Sequence, residues 1–239
     1  MRVLVATAVP AERDAVARAF GDPASEHPLH GTALTILRCG AADVVAAGVG
    51  PAAAAAGAAI ALTVAALEGR PYGLVVSAGI GGGFTGRAPL GSVVVADAIV
   101  AADLGAETPE GFVTVTGLGF GTDRHVPPPA LVRETADATS ALTGTVLTVS
   151  TATGSAARTA ELLSTHPEAA AEAMEGFGVA EAAAAHGVPA LEVRAVSNAV
   201  GPRDRESWRI GEALAALTDA FAKLLAPGGS WSDTPRIRT

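Results

Sequence analysis

Four residues carry the side chains best suited to chemistry on a bound ligand: Glu12, Glu175, Arg194 and Asn198. Glu12 follows a short apolar run and opens a helical segment. A carboxylate there stabilises the helix N-terminus, which is the plain reading of an isolated Glu. Glu175 lies in Ala173-Met174-Glu175-Gly176-Phe177, among small or apolar residues, where a carboxylate needs a partner or a function. Arg194 lies inside the apolar run Leu191-Glu192-Val193-Arg194-Ala195-Val196-Ser197-Asn198 and is equally costly to bury alone. A buried Glu–Arg pair accounts for both; so does a site that holds a water and a sugar. Asn198 ends the run ahead of a Gly-Pro loop. An apolar strand that stops on a short polar side chain is how α/β proteins present a group to a ligand. An Asn that simply starts a turn is the plain alternative.

These side chains need a scaffold, and the chain supplies alternating elements. Apolar runs at 3–6, 34–38, 43–47, 74–77, 92–98, 145–149 and 191–197 read as strands. Helical character is found at 11–20, 52–67, 157–163, 173–186 and 208–225. Such alternation predicts a mainly parallel sheet covered on both faces. The run 43–47 can instead pair antiparallel with the strand before it, which makes the sheet mixed. One domain over 1–226 is expected, with a frayed C-terminal tail at 227–239 after Pro227-Gly228-Gly229.

Composition narrows the classes. The chain is 49% hydrophobic and 17% charged, enough for a large core and unlike a disordered segment. A net charge of −8 speaks against nucleic acid as partner, because phosphate neutralisation needs clustered Lys and Arg. The single Cys39 cannot form an internal disulfide, which fits a reducing compartment. Residues 44–67 are poor in charge, but Gly48, Gly50, Pro51, Gly57 and many Ala make a buried helix that starts at Pro51, not a membrane span. The start is a first strand, not a signal peptide.

Several motifs are tested and fail. Ser77-Ala78-Gly79-Ile80-Gly81-Gly82-Gly83-Phe84 follows a strand, and its glycines let backbone N–H groups approach an anion or a sugar. The third glycine of a dinucleotide fingerprint is Phe84, however, and no phosphate-loop Lys follows. Cys and His are too scattered for a metal site, and no Gly-x-Ser-x-Gly turn supports a serine hydrolase. His125, His166 and His186 fall in loops and at helix ends and are not read as catalytic.

Taken in order, six segments resemble the nucleoside phosphorylase and nucleosidase superfamily over almost the whole chain. They are the first strand leading to Glu12, Gly48-Val49-Gly50-Pro51 before an Ala-rich helix, 77–83, Gly91-Ser92-Val93-Val94-Val95-Ala96-Asp97, Met174-Glu175, and 193–198. The resemblance implies a three-layer α/β/α fold around a mixed, partly barrel-like sheet. It implies that Glu12 activates the attacking water, that Arg194 holds the water–carboxylate arrangement, and that Glu175 binds the ribose hydroxyls with Met174 beneath the sugar. Asn198 would contact the purine at N7 and at its C6 substituent. Ser77, Gly79 and Ser197, within the matching segments, join the substrate-binding set. The backbone of Thr151 to Thr153 and the ring of Phe177 are weaker expected contacts to the base.

Phosphorolytic relatives hold phosphate with Arg side chains, and the Gly-rich segments contain none, so water is the expected nucleophile. Adenine-cleaving relatives carry an Asp where Asn198 stands. An amide can donate to O6 of hypoxanthine and accept from a proton arriving on N7, so a 6-oxopurine nucleoside is the expected substrate, although Asn also pairs with adenine at N6 and N7. Asp204, in the loop after Asn198, is either a proton donor that reaches back or a solvated charge. The expectation is an N-ribosyl hydrolase acting on a small-molecule nucleoside in the cytoplasm. It needs no cofactor and no metal, has no nucleic-acid or membrane partner, and assembles as a homodimer or larger homo-oligomer. An adenine-releasing nucleosidase and a catalytically silent nucleoside-binding module are the alternatives.

Overall fold

The computed structural model describes residues 2–20, 25–40, 42–225 and 231. In chain order the elements begin β1 (Val3–Thr7), α1 (Pro10–Arg18), β2 (Ser25–Pro28), β3 (Thr35–Cys39), β4 (Ala42–Ala46), α2 (Pro51–Leu67) and β5 (Leu74–Gly83). They continue with β6 (Val93–Ala101), β7 (Gly105–Thr108), β8 (Gly111–Thr114), β9 (Arg124–His125), α3 (Pro129–Thr139), β10 (Leu142–Thr148) and α4 (Ala156–Thr165). The last are β11 (Ala169–Ala173), α5 (Gly176–Ala185), β12 (Ala190–Ala199), a short 3₁₀ turn (Arg205–Ser207) and α6 (Ile210–Leu225).

The main sheet runs β11-β10-β6-β12-β5-β1-β4-β3-β2 and is mixed. β1 is parallel to β4 and β5, whereas β3 is antiparallel to β4, as residues 43–47 allowed. β11 also pairs antiparallel with β5, through Ala171–Gly83 and Glu172–Gly82. That pairing closes β5, β12, β6, β10 and β11 into a five-stranded barrel, while β1, β4, β3 and β2 extend from it as an open wing. Closure depends on the glycines of β5, since a Cβ at Gly81 would lie 2.8 Å from the Glu172 carbonyl oxygen. The expected barrel-like α/β fold is therefore the observed one.

Helices cover both faces. On one, α1, α3 and α6 enclose a core that includes Val16, Leu131, Ala213, Leu217, Phe221 and Leu224. The buried residues of α6 recur at helical spacing, which is why this amphipathic segment folds as a helix against the sheet. On the other face α2 and α5 pack through small residues such as Ala54, Ala58, Ala61 and Ala183. Pro51 occupies the first turn of α2, where its missing N–H costs nothing.

Two expectations change. The strand at 74–77 runs on to Gly83, so the Gly-rich segment is part of the barrel wall. The helix at 173–186 begins only at Gly176, and the Ala-rich stretch before it is β11. Ala is silent in a periodicity argument, and here pairing with β10 and β5 makes the choice. β2, β7, β8, β9, β11 and α3 carry no sequence signal strong enough to have been expected. The expected tail at 227–239 lies outside the described residues except for Trp231, which is buried edge-on to Phe221 and donates its indole N–H to Thr135.

Candidate active site

Glu12 is placed by the turn from β1 into α1. Its Oε2 accepts the N–H groups of Ala8 (3.0 Å) and Val9 (3.3 Å), so it does cap the helix. Its Oε1 accepts the Ile80 N–H from β5 at 2.9 Å. The residue is nonetheless a wall of a cleft, so capping and exposure to a ligand coexist in one side chain. Burial pushes its carboxyl up, and Arg194 and the Ile80 N–H pull only part of the way back.

Arg194 is the hub behind that wall. It is 1% exposed, on β12, and reaches three polar side chains. Its Nε donates to Glu192 Oε1 at 2.8 Å, its NH2 to Ser77 Oγ at 2.9 Å, and its NH1 lies 3.2 Å from Glu175 Oε2. The Glu–Arg pair allowed by the sequence therefore exists, and Glu192 makes it a pair shared by two carboxylates. Burial opposes the guanidinium charge, but Glu192, Glu175 and Glu12 outweigh it and hold Arg194 above its ordinary value. Glu175 sits at the N-cap of α5, and its Oε1 accepts the Gly50 N–H at 3.1 Å. Two of the segments singled out in the sequence thus meet at one carboxylate.

Ser77 and Gly79, expected as ligand contacts, lie behind the cleft lining and support this hub. Ser77 points its hydroxyl at Arg194. Gly79 leaves the space in which Glu12 and Arg194 approach each other: a Cβ there would lie 2.5 Å from Glu12 Oε1 and 2.8 Å from Arg194 NH1.

The cleft has a volume of about 230 Å³ and gathers Glu12, Met174, Glu175, Ser197, Asn198 and Thr153 from the expected set. Asn198 Oδ1 accepts from Ser197 Oγ at 2.9 Å, and its Nδ2 donates to the Ala199 carbonyl at 3.0 Å. That amide is consequently oriented before any ligand arrives.

Phe177 and Thr151 are not brought to the cleft. Phe177 is the second residue of α5, and a helix turns about 100° per residue, so its ring swings away from Glu175. It packs in the core against His125, with ring centroids 5.2 Å apart. Thr151 is exposed beside Ala152 and Thr153, which do line the cleft. Asp204 is exposed and accepts from the Glu206 N–H at 3.3 Å; it does not reach back.

Four residues escaped the sequence reading. Glu172 and Glu192 stand in apolar strands, where the argument applied to Glu175 would have flagged both. Glu172 is buried, lines the cleft and accepts from the N–H and hydroxyl of Thr153. Arg203 and Trp208 line the rim, with the guanidinium 5.2 Å from the ring centroid; no local pattern marks them. Among the described residues no cluster of three or more His, Cys, Asp or Glu is arranged to hold a metal ion, and no helix is long and apolar enough to cross a membrane.

The chain that builds this cleft of two carboxylates and an oriented amide, with a shared arginine behind it, matches a known family. The model of the Phosphorylase superfamily covers residues 2–227. The chain belongs to that superfamily. A futalosine hydrolase of Streptomyces coelicolor is 67% identical over 99% of this chain and 100% of its own. One from Acidothermus cellulolyticus is 46% identical over 95% and 91%. The fold is shared with the 5′-methylthioadenosine/S-adenosylhomocysteine nucleosidase of Neisseria meningitidis solved with methylthio-immucillin-A, at a TM-score of 0.76 and 19% identity over 92% and 96% of the two chains. It is likewise shared with futalosine hydrolase of Helicobacter pylori, at a TM-score of 0.72 and 19% identity over 93% and 94%. The chain is an N-glycosyl hydrolase of the nucleosidase type.

The buried charges set a pH dependence of stability. Burial pushes the Glu192 carboxyl up to about 7, against the pull of Arg194, and Glu175 adds to the rise. In the unfolded chain a Glu titrates near ~4.3, so the folded state binds this proton more tightly. The stability it contributes is complete below the unfolded value and is lost as pH rises through about 7. Glu12 and Glu172, both raised by burial, act in the same direction. Glu192→Gln keeps the acceptor for Arg194 Nε and cannot ionise. Denaturation midpoints of the variant should therefore change less than those of the parent between mildly acidic and neutral buffer. Equal changes would show that Glu192 is ionised throughout.

Proposed function

We propose that the chain hydrolyses the N-glycosidic bond of futalosine, releasing hypoxanthine and dehypoxanthinyl futalosine as a step of menaquinone biosynthesis. One observation carries the reading. Glu12 and Glu175 open on the same cleft as the oriented amide of Asn198, with Arg194 holding Glu175 from behind. The likeness to two futalosine hydrolases over nearly the full chain supports the choice of substrate.

Each group has a part. As the C1′–N9 bond breaks, its electron pair leaves with the purine and positive charge grows on the ribose. Glu175 accepts from the ribose hydroxyls and stabilises that charge, as carboxylates do in other glycoside cleavage. Glu12 takes a proton from the water whose oxygen bonds to C1′. Its raised pKa makes it a better base near neutral pH than an exposed Glu. The departing hypoxanthine takes a proton at N7 from solvent, and Glu12 later returns the water's proton to solvent; Asn198 accepts from that N7–H and donates to O6, contacts that strengthen as the bond breaks. Met174 packs under the sugar.

Product analysis tests this directly. With futalosine as substrate, hypoxanthine and a free anomeric hydroxyl should appear at the same rate with and without phosphate. Arg203 is the only cation of the cleft wall among the described residues, and Arg194 is already engaged by carboxylates. A ribose 1-phosphate formed only when phosphate is supplied would overturn the hydrolytic assignment.

A further inference from the structure

Glu172 has no part in the roles above, yet it is placed like a ligand contact. It is 6% exposed and lines the cleft from β11. Its sheet partner on β5 is Gly82, and Gly82 in turn pairs with Asn198 on β12. Partners in one row across neighbouring strands project to the same face, so Glu172 and Asn198 look into the cleft from either side of a residue with no side chain. Two strand spacings of about 4.8 Å separate them. That span admits the edge of one flat base with a hydrogen bond at each end.

Its chemistry is unfinished. Oε1 accepts the Thr153 N–H at 2.8 Å and Oε2 accepts the Thr153 hydroxyl. A carboxylate offers about four acceptor sites, so each oxygen can take one more donor. Unlike Glu175 and Glu192, it makes no ion pair among the described residues. A buried carboxylate with spare acceptors and no cation is stabilised by a ligand N–H. Along the edge of a 6-oxopurine, next to O6 and N7, stands N1–H. In a 6-aminopurine the same position is a bare acceptor.

We infer that Glu172 is a base-reading residue whose carboxylate accepts N1–H of a 6-oxopurine, forming with Asn198 a two-residue filter against 6-aminopurines. This rests on the purine nucleosidase reading above. Thr153 becomes the residue that aims the carboxylate, which gives the loop after β10 a part in base selection through a side chain it holds.

Glu172→Gln, of nearly the same shape, tests it. The carbonyl of the amide still accepts from Thr153, while its NH₂ can meet N1 of a 6-aminopurine. kcat/KM for futalosine and for its 6-amino analogue should be measured in both proteins. Loss of a hydrogen bond to a charged acceptor should shift the ratio about tenfold towards the 6-amino substrate. A residue that only ties down the loop would lower both substrates together, and an unchanged ratio overturns the inference. If the variant does not fold, the parent protein still decides. Free hypoxanthine should compete at least about tenfold better than 1-methylhypoxanthine, which has no N1–H to donate, and equal competition overturns the inference. Failure of the parent to release hypoxanthine from futalosine would overturn the hydrolase reading and this inference together; release with an unchanged ratio overturns this one alone.

Discussion

Glu12→Gln should leave a folded protein that binds its nucleoside and turns it over roughly 10²–10⁴-fold more slowly. The amide keeps one acceptor oxygen, enough for the Ala8 and Val9 N–H groups that hold the start of α1. The Ile80 N–H then loses its acceptor, a loss of about 1–3 kcal/mol in stability that a domain of this size tolerates. What disappears is the basic oxygen beside the attacking water. The effect should fall on kcat with KM little changed, because the carboxylate works in the transition state and not in nucleoside binding. Steady-state kinetics with circular dichroism as a folding control makes the comparison. Near-normal turnover in a folded variant would leave Glu12 as a helix cap and nothing more.

Asn198→Asp should redirect the enzyme towards 6-aminopurines by roughly 10- to 100-fold in the ratio of specificity constants. The side chains are nearly isosteric, and the Ser197 hydroxyl can donate to either. At neutral pH an ionised Asp sets an acceptor against O6 of hypoxanthine, and futalosine cleavage falls. When protonated it donates to N7 and accepts from an adenine amino group, so aminofutalosine and methylthioadenosine gain. The expected change exceeds that for Glu172→Gln because two contacts, at O6 and at N7, change sense at once. Competition between futalosine and its 6-amino analogue reads the ratio in one vessel. An unchanged ratio would mean that Asn198 does not touch the base edge.

The strands that hold the site were legible because they are runs of Val, Ile and Leu buried on both sides. β1, β12 and the first half of β5 needed no tertiary knowledge beyond that. Where Ala dominated, the sequence was mute. Residues 169–173 have neither helical nor alternating polarity, and they become β11 only through pairing with β10 and β5. Glu172 was overlooked for the same reason, since residues 169–172 fell outside every expected element. That Ser77 accepts from Arg194, and that Gly79 leaves room for Arg194 and Glu12, are matters of a few ångströms that spacing along the chain does not encode.

The α/β class and the buried charges at Glu12, Glu175 and Arg194 could be read from the sequence alone, as matters of local pattern and of the cost of burying a charge. Tertiary structure alone decided that β11 closes on β5, that Arg194 is shared between Glu175 and Glu192, and that Glu172 and Asn198 face each other across Gly82. Contacts around the site join residues as many as 125 positions apart, as between Gly50 and Glu175. Contacts of that range arise from strand pairing and packing, which depend on the whole fold and leave no periodic trace in any one segment.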